Sequence, residues 1–386
     1  MRCLHGVGRP AGMQADAQRH GAFGAVDHGS ASVVPVAIPV NRRAERMGLW
    51  LLRILGVALA LVAGLLLLGP FLISTVPIGG LGTAASAATE QSRFVRVPFS
   101  GTDGVEIHYV TRSEGAPRDA PVFVLLHGFT FDASTWDQVL DRFGAEGRVY
   151  AYDQIPYGRS AKLARADWQA ANPYSKEAAI AQLFSFMDAV GIERATLVGN
   201  SSGGTLAAEA ALARPERVDR LILVAPWVYA RRPTIPAWLA ETPQMRRLSL
   251  LIARKLGEGV LLDYSYADPQ RVDAARRSRA TAHAQVQGWD IAWGELLNRS
   301  LSSPVELSGR LAELTQPVLL LTGDQDRLVP VADTRRVAQG LPNGRLEVLP
   351  GCGHVPQEEC PDAFWRAVSN WLMAGSGPAR SAPGVR

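Results

Sequence analysis

The run Leu197-Val198-Gly199-Asn200-Ser201-Ser202-Gly203-Gly204 sets a serine between two glycines, directly after an apolar stretch. Few folds can use such a run. The pattern G-x-S-x-G describes a strand that ends, a backbone that turns sharply and a helix that begins, with the serine hydroxyl exposed on a strained apex. Gly199 and Gly203 are needed because side chains there would collide with the neighbouring strand and helix. Alone the motif is weak; its meaning depends on what else the chain carries.

A serine hydroxyl is a poor nucleophile unless a base activates it and an acid orients that base. In chains that use this elbow the partners follow in the order Ser, Asp or Glu, His. Only His283 and His354 lie beyond Ser201. His354 sits in the glycine-rich run Leu349–His354, after a strand-like segment, where it can reach across the top of a sheet; the plainer alternative is a loop histidine capping a carbonyl. His283 falls in an Arg/Ala-rich stretch that reads as the solvated face of a helix. Two aspartates compete for the acid, both in the loop after the apolar run Pro317–Thr322. Asp324 follows Gly323 directly and suits an Asx-type turn. Asp326, further along, is placed to point at His354, and we take it as the acid.

A tetrahedral intermediate needs two preorganised N–H donors. Ser202, next to the nucleophile, supplies one. Phe129, in the loop His127-Gly128-Phe129-Thr130 after the apolar run Pro121–Leu126, supplies the other. His127 then reads as shaping that loop rather than as a second base.

With these segments the chain resembles the α/β-hydrolase superfamily, of the kind with a Ser-Asp-His triad and a helical cap. The matching pieces are His127-Gly128-Phe129, Asp153–Ser160, the elbow, Gly323–Pro330, and Gly353-His354 followed by Glu358-Glu359-Cys360-Pro361; together they span about residues 93–374. One departure is Gln154-Ile155-Pro156-Tyr157, where relatives often carry a Pro-Gly pair, although Gly158 and Ser160 keep the turn. The resemblance implies a cofactor-free acyl-enzyme reaction on an ester of a small or medium apolar substrate. A carbon–carbon hydrolase or a cofactor-free perhydrolase would use a similar triad. Serine at the elbow argues against the epoxide hydrolases and haloalkane dehalogenases of this superfamily, which use an aspartate. A catalytically silent, membrane-tethered binding module would be expected to have lost a triad member, and none is lost.

The expected fold is α/β: a largely parallel eight-stranded sheet with helices on both faces. Strands are expected at 93–99, 105–112, 121–126, 148–152, 195–199, 218–225, 317–322 and 345–349, the first two pairing antiparallel. The hydrolase core then comprises 93–226 and 314–374. The interruption at 227–313 is too long for a loop and reads as a helical cap. Its aromatics, Trp227, Tyr229, Trp238, Tyr264, Tyr266, Trp289 and Trp293, either pack the cap's own core or line an apolar pocket.

Ahead of the core, Ile54–Ile73 is an uncharged, mostly apolar run of about 30 Å as helix, enough to cross a bilayer. Arg42, Arg43, Arg46 and Arg53 precede it, and no charge follows until Glu90. That asymmetry predicts a single-pass anchor at 47–73 with the catalytic domain outside the cytoplasm. A cleaved signal peptide is the rival, with Ala85-Ser86-Ala87 as its cleavage site. Residues 74–92 read as a flexible Gly/Ala/Ser-rich linker, 1–46 as a disordered or mis-started tail, and 375–386 as a loose tail.

The 386 residues are 47% apolar and carry a net charge of +4. No basic cluster with interleaved aromatics appears, so nucleic acid is not an expected partner. Metal-ligand spacing is also missing, and no metal is expected. Of three cysteines, Cys352 and Cys360 flank His354; in an oxidising compartment they can pair, while the plainer reading is two small buried side chains. The oligomeric state is not legible.

Overall fold

The computed structural model describes residues 42–375 apart from Ser100, Glu114, Arg118 and 230–233, so most of the N-terminal tail and nearly all of the C-terminal tail lie outside the described residues. The chain divides into two units, Met1–Leu59 and Ala60–Arg386. Described residues of the first belong to one helix, α1 (Arg42–Leu68), which runs on into the second. Glu45–Leu72 is long and apolar enough to cross a membrane, and its 18-residue apolar window is not buried by protein, although Pro70 near its end is.

The second unit is built on strands β1 (Arg93–Val97), β2 (Val105–Arg112), β3 (Val122–Leu126), β4 (Arg148–Tyr152), β5 (Ala195–Asn200), β6 (Val218–Val224), β7 (Val318–Gly323) and β8 (Gly344–Leu349). They form one sheet in the order β1-β2-β4-β3-β5-β6-β7-β8. The β1/β2 and β2/β4 pairs are antiparallel, and every pair from β4/β3 to β7/β8 is parallel. The central strands are continuous apolar runs because both faces are covered. Along β3, Val124 and Leu126 point into a core with Leu183, Phe186 and Ala207, while Phe123 and Leu125 point into the opposite core with Trp136, Phe143 and Phe364. Helices α3 (Lys176–Ala189) and α4 (Ser202–Ala213) cover the first face. Helix α2 (Asp137–Glu146) covers the other, together with the C-terminal helix.

Between β6 and β7 the chain leaves the sheet to form the cap: α5 (Ala237–Ala240), α6 (Pro243–Leu256), α7 (Val260–Ser265), α8 (Ala274–Ala280) and α9 (Trp289–Leu301). After β7 come α10 (Val331–Gly340), α11 (Pro356–Glu359) and α12 (Pro361–Gly375). Trp289 and Trp293 are buried inside the cap against Ala253, whereas Trp238 and Tyr264 are exposed.

One expectation fails here. The segment after the apolar helix is not a free linker but is strapped to the protein. Arg247 donates to the Ile73 carbonyl at 2.5 Å, and Arg254 to those of Ser74 and Val76 at 2.9 Å each. Gly82 exchanges two backbone bonds with Gln285 and Gln287, and Arg159 holds the Ala87 carbonyl. Small side chains permit this close approach, and guanidinium groups of the cap and core satisfy carbonyls that water would otherwise solvate.

Candidate active site

Ser201 lies at the end of β5 with φ 54° and ψ −119°. A residue with a Cβ adopts such a conformation at a cost of about 1–3 kcal/mol, so its surroundings must impose it. Its N–H donates to the Val224 carbonyl at 2.8 Å, and its own carbonyl accepts from Thr205 and Trp227. The two glycines let strand and helix close on each other. A Cβ on Gly199 would stand 2.3 Å from the Gly203 oxygen, and one on Gly203 would stand 2.4 Å from the Leu126 and His127 oxygens. Ser202 opens α4, so its N–H is one of the helix's first four donors and has no intrahelical acceptor. It lines a cavity of about 230 Å³ together with Phe129, Ile155, Tyr157, Trp227 and Leu296. A larger cavity of about 390 Å³ opens elsewhere, along Thr89, His108, Asp132 and Asp137; Ser201, Asp326 and His354 are in the lining of neither, and the smaller one is the one that Ser202, next to Ser201, borders.

His354 comes to the same end of the sheet from the loop after β8. Its Nδ1 lies 2.8 Å from Asp326 Oδ2, and both side chains are buried. The other Asp326 oxygen accepts from the Leu328 and Val329 amides at 2.8 and 2.9 Å, which fixes the carboxylate. Asp324 turns away and accepts from the Gly351 amide at 2.7 Å, tying the β7 loop to the β8 loop. Asn200, beside Ser201, donates to the His354 carbonyl at 3.1 Å, so elbow and histidine loop are bonded directly.

The histidine loop is also held from below and from the cap. The His354 amide donates to Ser265 O at 2.7 Å. One Glu359 oxygen accepts from Gly353 and Ala267, at 2.7 and 2.9 Å, and the other from Asp268 at 3.0 Å. Glu358 binds Arg276 of α8, the Tyr266 hydroxyl at 2.6 Å and the Thr135 hydroxyl. Burial, and then the Glu358 charge, push the Tyr266 hydroxyl far above its ordinary range, so it stays a donor. Cys352 and Cys360 form a disulfide across this loop, where two unpaired side chains were the plainer sequence reading. The carboxylates were legible only as parts of a family-like segment, and the bridge only as one of two readings of the cysteines that flank His354. Their partners lie far away in the chain.

His127 is used up structurally. Its Nε2 accepts from the Gln154 amide at 3.0 Å, so its Nδ1–H donates to Gly128 O at 2.8 Å. Burial lowers its basicity, outweighing the nearby Asp153 charge. Gln154 also donates to the His127 carbonyl at 2.7 Å, so the residue that departs from the usual pattern braces the loop carrying Phe129. His283 is a correction. It is buried rather than on a solvated helix face, and its ring stacks on Trp293 at 4.3 Å. Burial, then Lys162, pull its pKa down to about 3, so it is neutral at physiological pH.

This fold, with an elbow serine and an Asp–His pair at one end of a parallel sheet, defines a class: the chain belongs to the α/β-hydrolase fold family, whose model matches residues 121–361. It is a hydrolase. It is 28% identical to the putative carbamate hydrolase RutD of Caulobacter sp. (strain K31) over 71% of its own length and 97% of that protein's. It is also 28% identical to a 2-hydroxy-6-oxononadienedioate/2-hydroxy-6-oxononatrienedioate hydrolase of Pseudomonas putida, over 73% of this chain and 96% of that one. Among solved structures it is similar to a membrane phospholipase A described as a bacterial virulence factor, at 25% identity and a TM-score of 0.57, covering 86% of this chain and all of that one. The residues from 93 onward cannot supply a share of that size by themselves.

Proposed function

We propose that the chain is a serine hydrolase that cleaves carboxylic esters of apolar acyl groups through an acyl-enzyme. The observation that carries this reading is the Asp326–His354 contact at the end of the sheet where Ser201 occupies its strained turn. With Nδ1–H given to Asp326, His354 Nε2 takes the Ser201 proton as Oγ attacks the acyl carbon. The Phe129 and Ser202 amides receive the oxyanion. The ester C–O bond breaks, the alcohol leaves with the proton from Nε2, and a water activated by the same nitrogen releases the acid.

The apolar cavity wall supports a neutral acyl group. The lining's Lys176 lies 3.5 Å from Glu209, so its charge is already answered. A dioate such as the Pseudomonas putida relative's substrate would need a free cation for its second carboxylate, and for that reason the carbon–carbon reading comes second. The similar phospholipase also acts on acyl esters. On this reading the domain works anchored by its apolar helix, with the cytoplasm on the N-terminal side of the span.

A fluorophosphonate probe, which reports an activated serine, is expected to label the full chain, and nitrophenyl esters are expected to be cleaved with a preference for longer acyl chains. Absence of labelling, or hydrolysis of a vinylogous 1,5-diketone in preference to every ester, would overturn the ester reading.

A further inference from the structure

Helix α6 carries two kinds of side chain on the side away from the cap interior. Ser249, Leu250 and Ala253 are buried, and Leu250 packs against Gly294 of α9. Arg247, Leu251 and Arg254 follow at i, i+4 and i+7 and so share a face. The two arginines hold the strap, and Arg247 also stacks on Phe71 at 5.1 Å. Leu251, between them, is exposed, as is its neighbour Ile252. At the end of the span Leu72 is 89% exposed, and in the strap Val76 is 70% exposed. An apolar strip therefore runs from the strap onto the cap with none of the described residues covering it.

The strap determines what covers it. The apolar span ends at Leu72, and the carbonyls of Ile73, Ser74 and Val76 are already bonded to α6. The first of these, Ile73, is one residue past the span, and one residue reaches at most about 3.6 Å when fully extended. The headgroup zone on each side of a bilayer is about 5–8 Å thick. A chain that leaves the membrane at Leu72 thus has no spacer with which to hold α6 clear of the lipid.

We propose that α6 and the strap form a lipid-docking surface, with Leu251 and Ile252 seated in the bilayer interface beside the span. The cap then rests on the membrane, and the enzyme takes its acyl esters from the lipid phase. This deepens the hydrolase reading above and rests on it and on the span being retained. The layering of the cap agrees: α6 is its outer layer, and α9 beneath contributes Leu296 and Ser300 to the cavity beside Ser202.

The test uses the full chain in phosphatidylcholine/phosphatidylglycerol vesicles. In the double variant Leu251→Asp, Ile252→Asp, cleavage of water-soluble nitrophenyl butyrate should stay within about twofold of the unmodified chain, while cleavage of a long-chain acyl ester carried in the vesicles should fall about tenfold or more. A bimane label on Ile252→Cys, with Cys3→Ser, should shift its emission to the blue on reconstitution and be quenched by brominated lipid. Equal loss on both esters, no loss on the vesicle ester, or a label that stays in water would overturn the docking surface. If alkaline carbonate strips the unmodified chain from the vesicles, the anchor reading falls; if that chain leaves nitrophenyl butyrate uncleaved, the hydrolase reading falls. Either result takes this proposal with it.

Discussion

Ser201 and His354 reach the same end of the sheet by opposite means. Ser201 is placed by its immediate neighbours: β5 ahead of it, α4 behind it, two glycines that let them touch, and three backbone bonds. His354 sits on a loop that no local pattern holds. Its position comes from Asp326, from Asn200, from Ser265 in the cap, and from a frame made by Glu359 and the disulfide. A strained turn can be encoded within a few residues, whereas an unstrained loop needs distant contacts to choose one conformation among many. The elbow should therefore tolerate changes elsewhere in the protein, and the histidine loop should respond to changes in the cap.

The largest effect tests the elbow. Ser201→Ala removes only the attacking oxygen, so turnover should drop by on the order of 10⁴ or more while thermal unfolding is unaltered. A dead Ser202→Ala beside an active Ser201→Ala would show that the turn is read one residue out of register. Next in size comes Asp326→Asn, expected to cost about 10⁴-fold because the amide favours the wrong histidine tautomer. Asp324→Asn should keep most activity and lose stability, since it accepts a backbone amide from Gly351 and does not touch His354. A reversal of these two phenotypes would assign the acid to the wrong residue.

What the sequence made legible follows the same division. The eight strands were readable to within a residue or two at most ends, because buried parallel strands are apolar throughout and stop at turn residues. The long interruption marked the cap, and the elbow marked itself. The strap was misjudged because Gly, Ala and Ser describe a flexible linker as readily as a segment that lies close against a surface; its arginine partners come 72 to 180 residues later. His283 was misjudged for a related reason: its Arg/Ala surroundings look solvated until Trp289 and Trp293 fold over it. The Glu359 bonds to Ala267 and Asp268 span about 90 residues, and no local spacing signals them.

Glu359→Ala tests the frame around His354. It leaves three amide donors, those of Gly353, Ala267 and Asp268, without their acceptor. The Gly353 donor is buried, and a buried donor left unpaired costs about 1–3 kcal/mol. Displacing a catalytic base by about 1 Å costs on the order of 10² in rate. We therefore expect kcat to fall about 10²-fold with KM little changed, and Glu359→Gln, which retains one acceptor oxygen, to recover part of that loss. A variant that is merely less stable, with full activity below its unfolding temperature, would show that the frame supports the fold and not the base.

The smallest expected effect separates the covalent part of that frame from the hydrogen-bonded part. The Cys352–Cys360 bridge closes a short loop of sequence separation 8. By loop-closure entropy it contributes about 2–3 kcal/mol to stability. Catalytic geometry should depend on it little, because Glu359 and Asp326 still grip the loop on either side of His354 when the sulfurs are apart. The Cys352→Ser, Cys360→Ser double variant should therefore unfold at lower denaturant while keeping its rate within a few-fold at 25 °C. Reducing the unmodified protein should reproduce both results, whereas reducing the double variant should change nothing. If removal of the bridge cut turnover as deeply as Glu359→Ala does, the histidine would be positioned chiefly by the disulfide, and the redox state of the compartment would then decide whether the enzyme works.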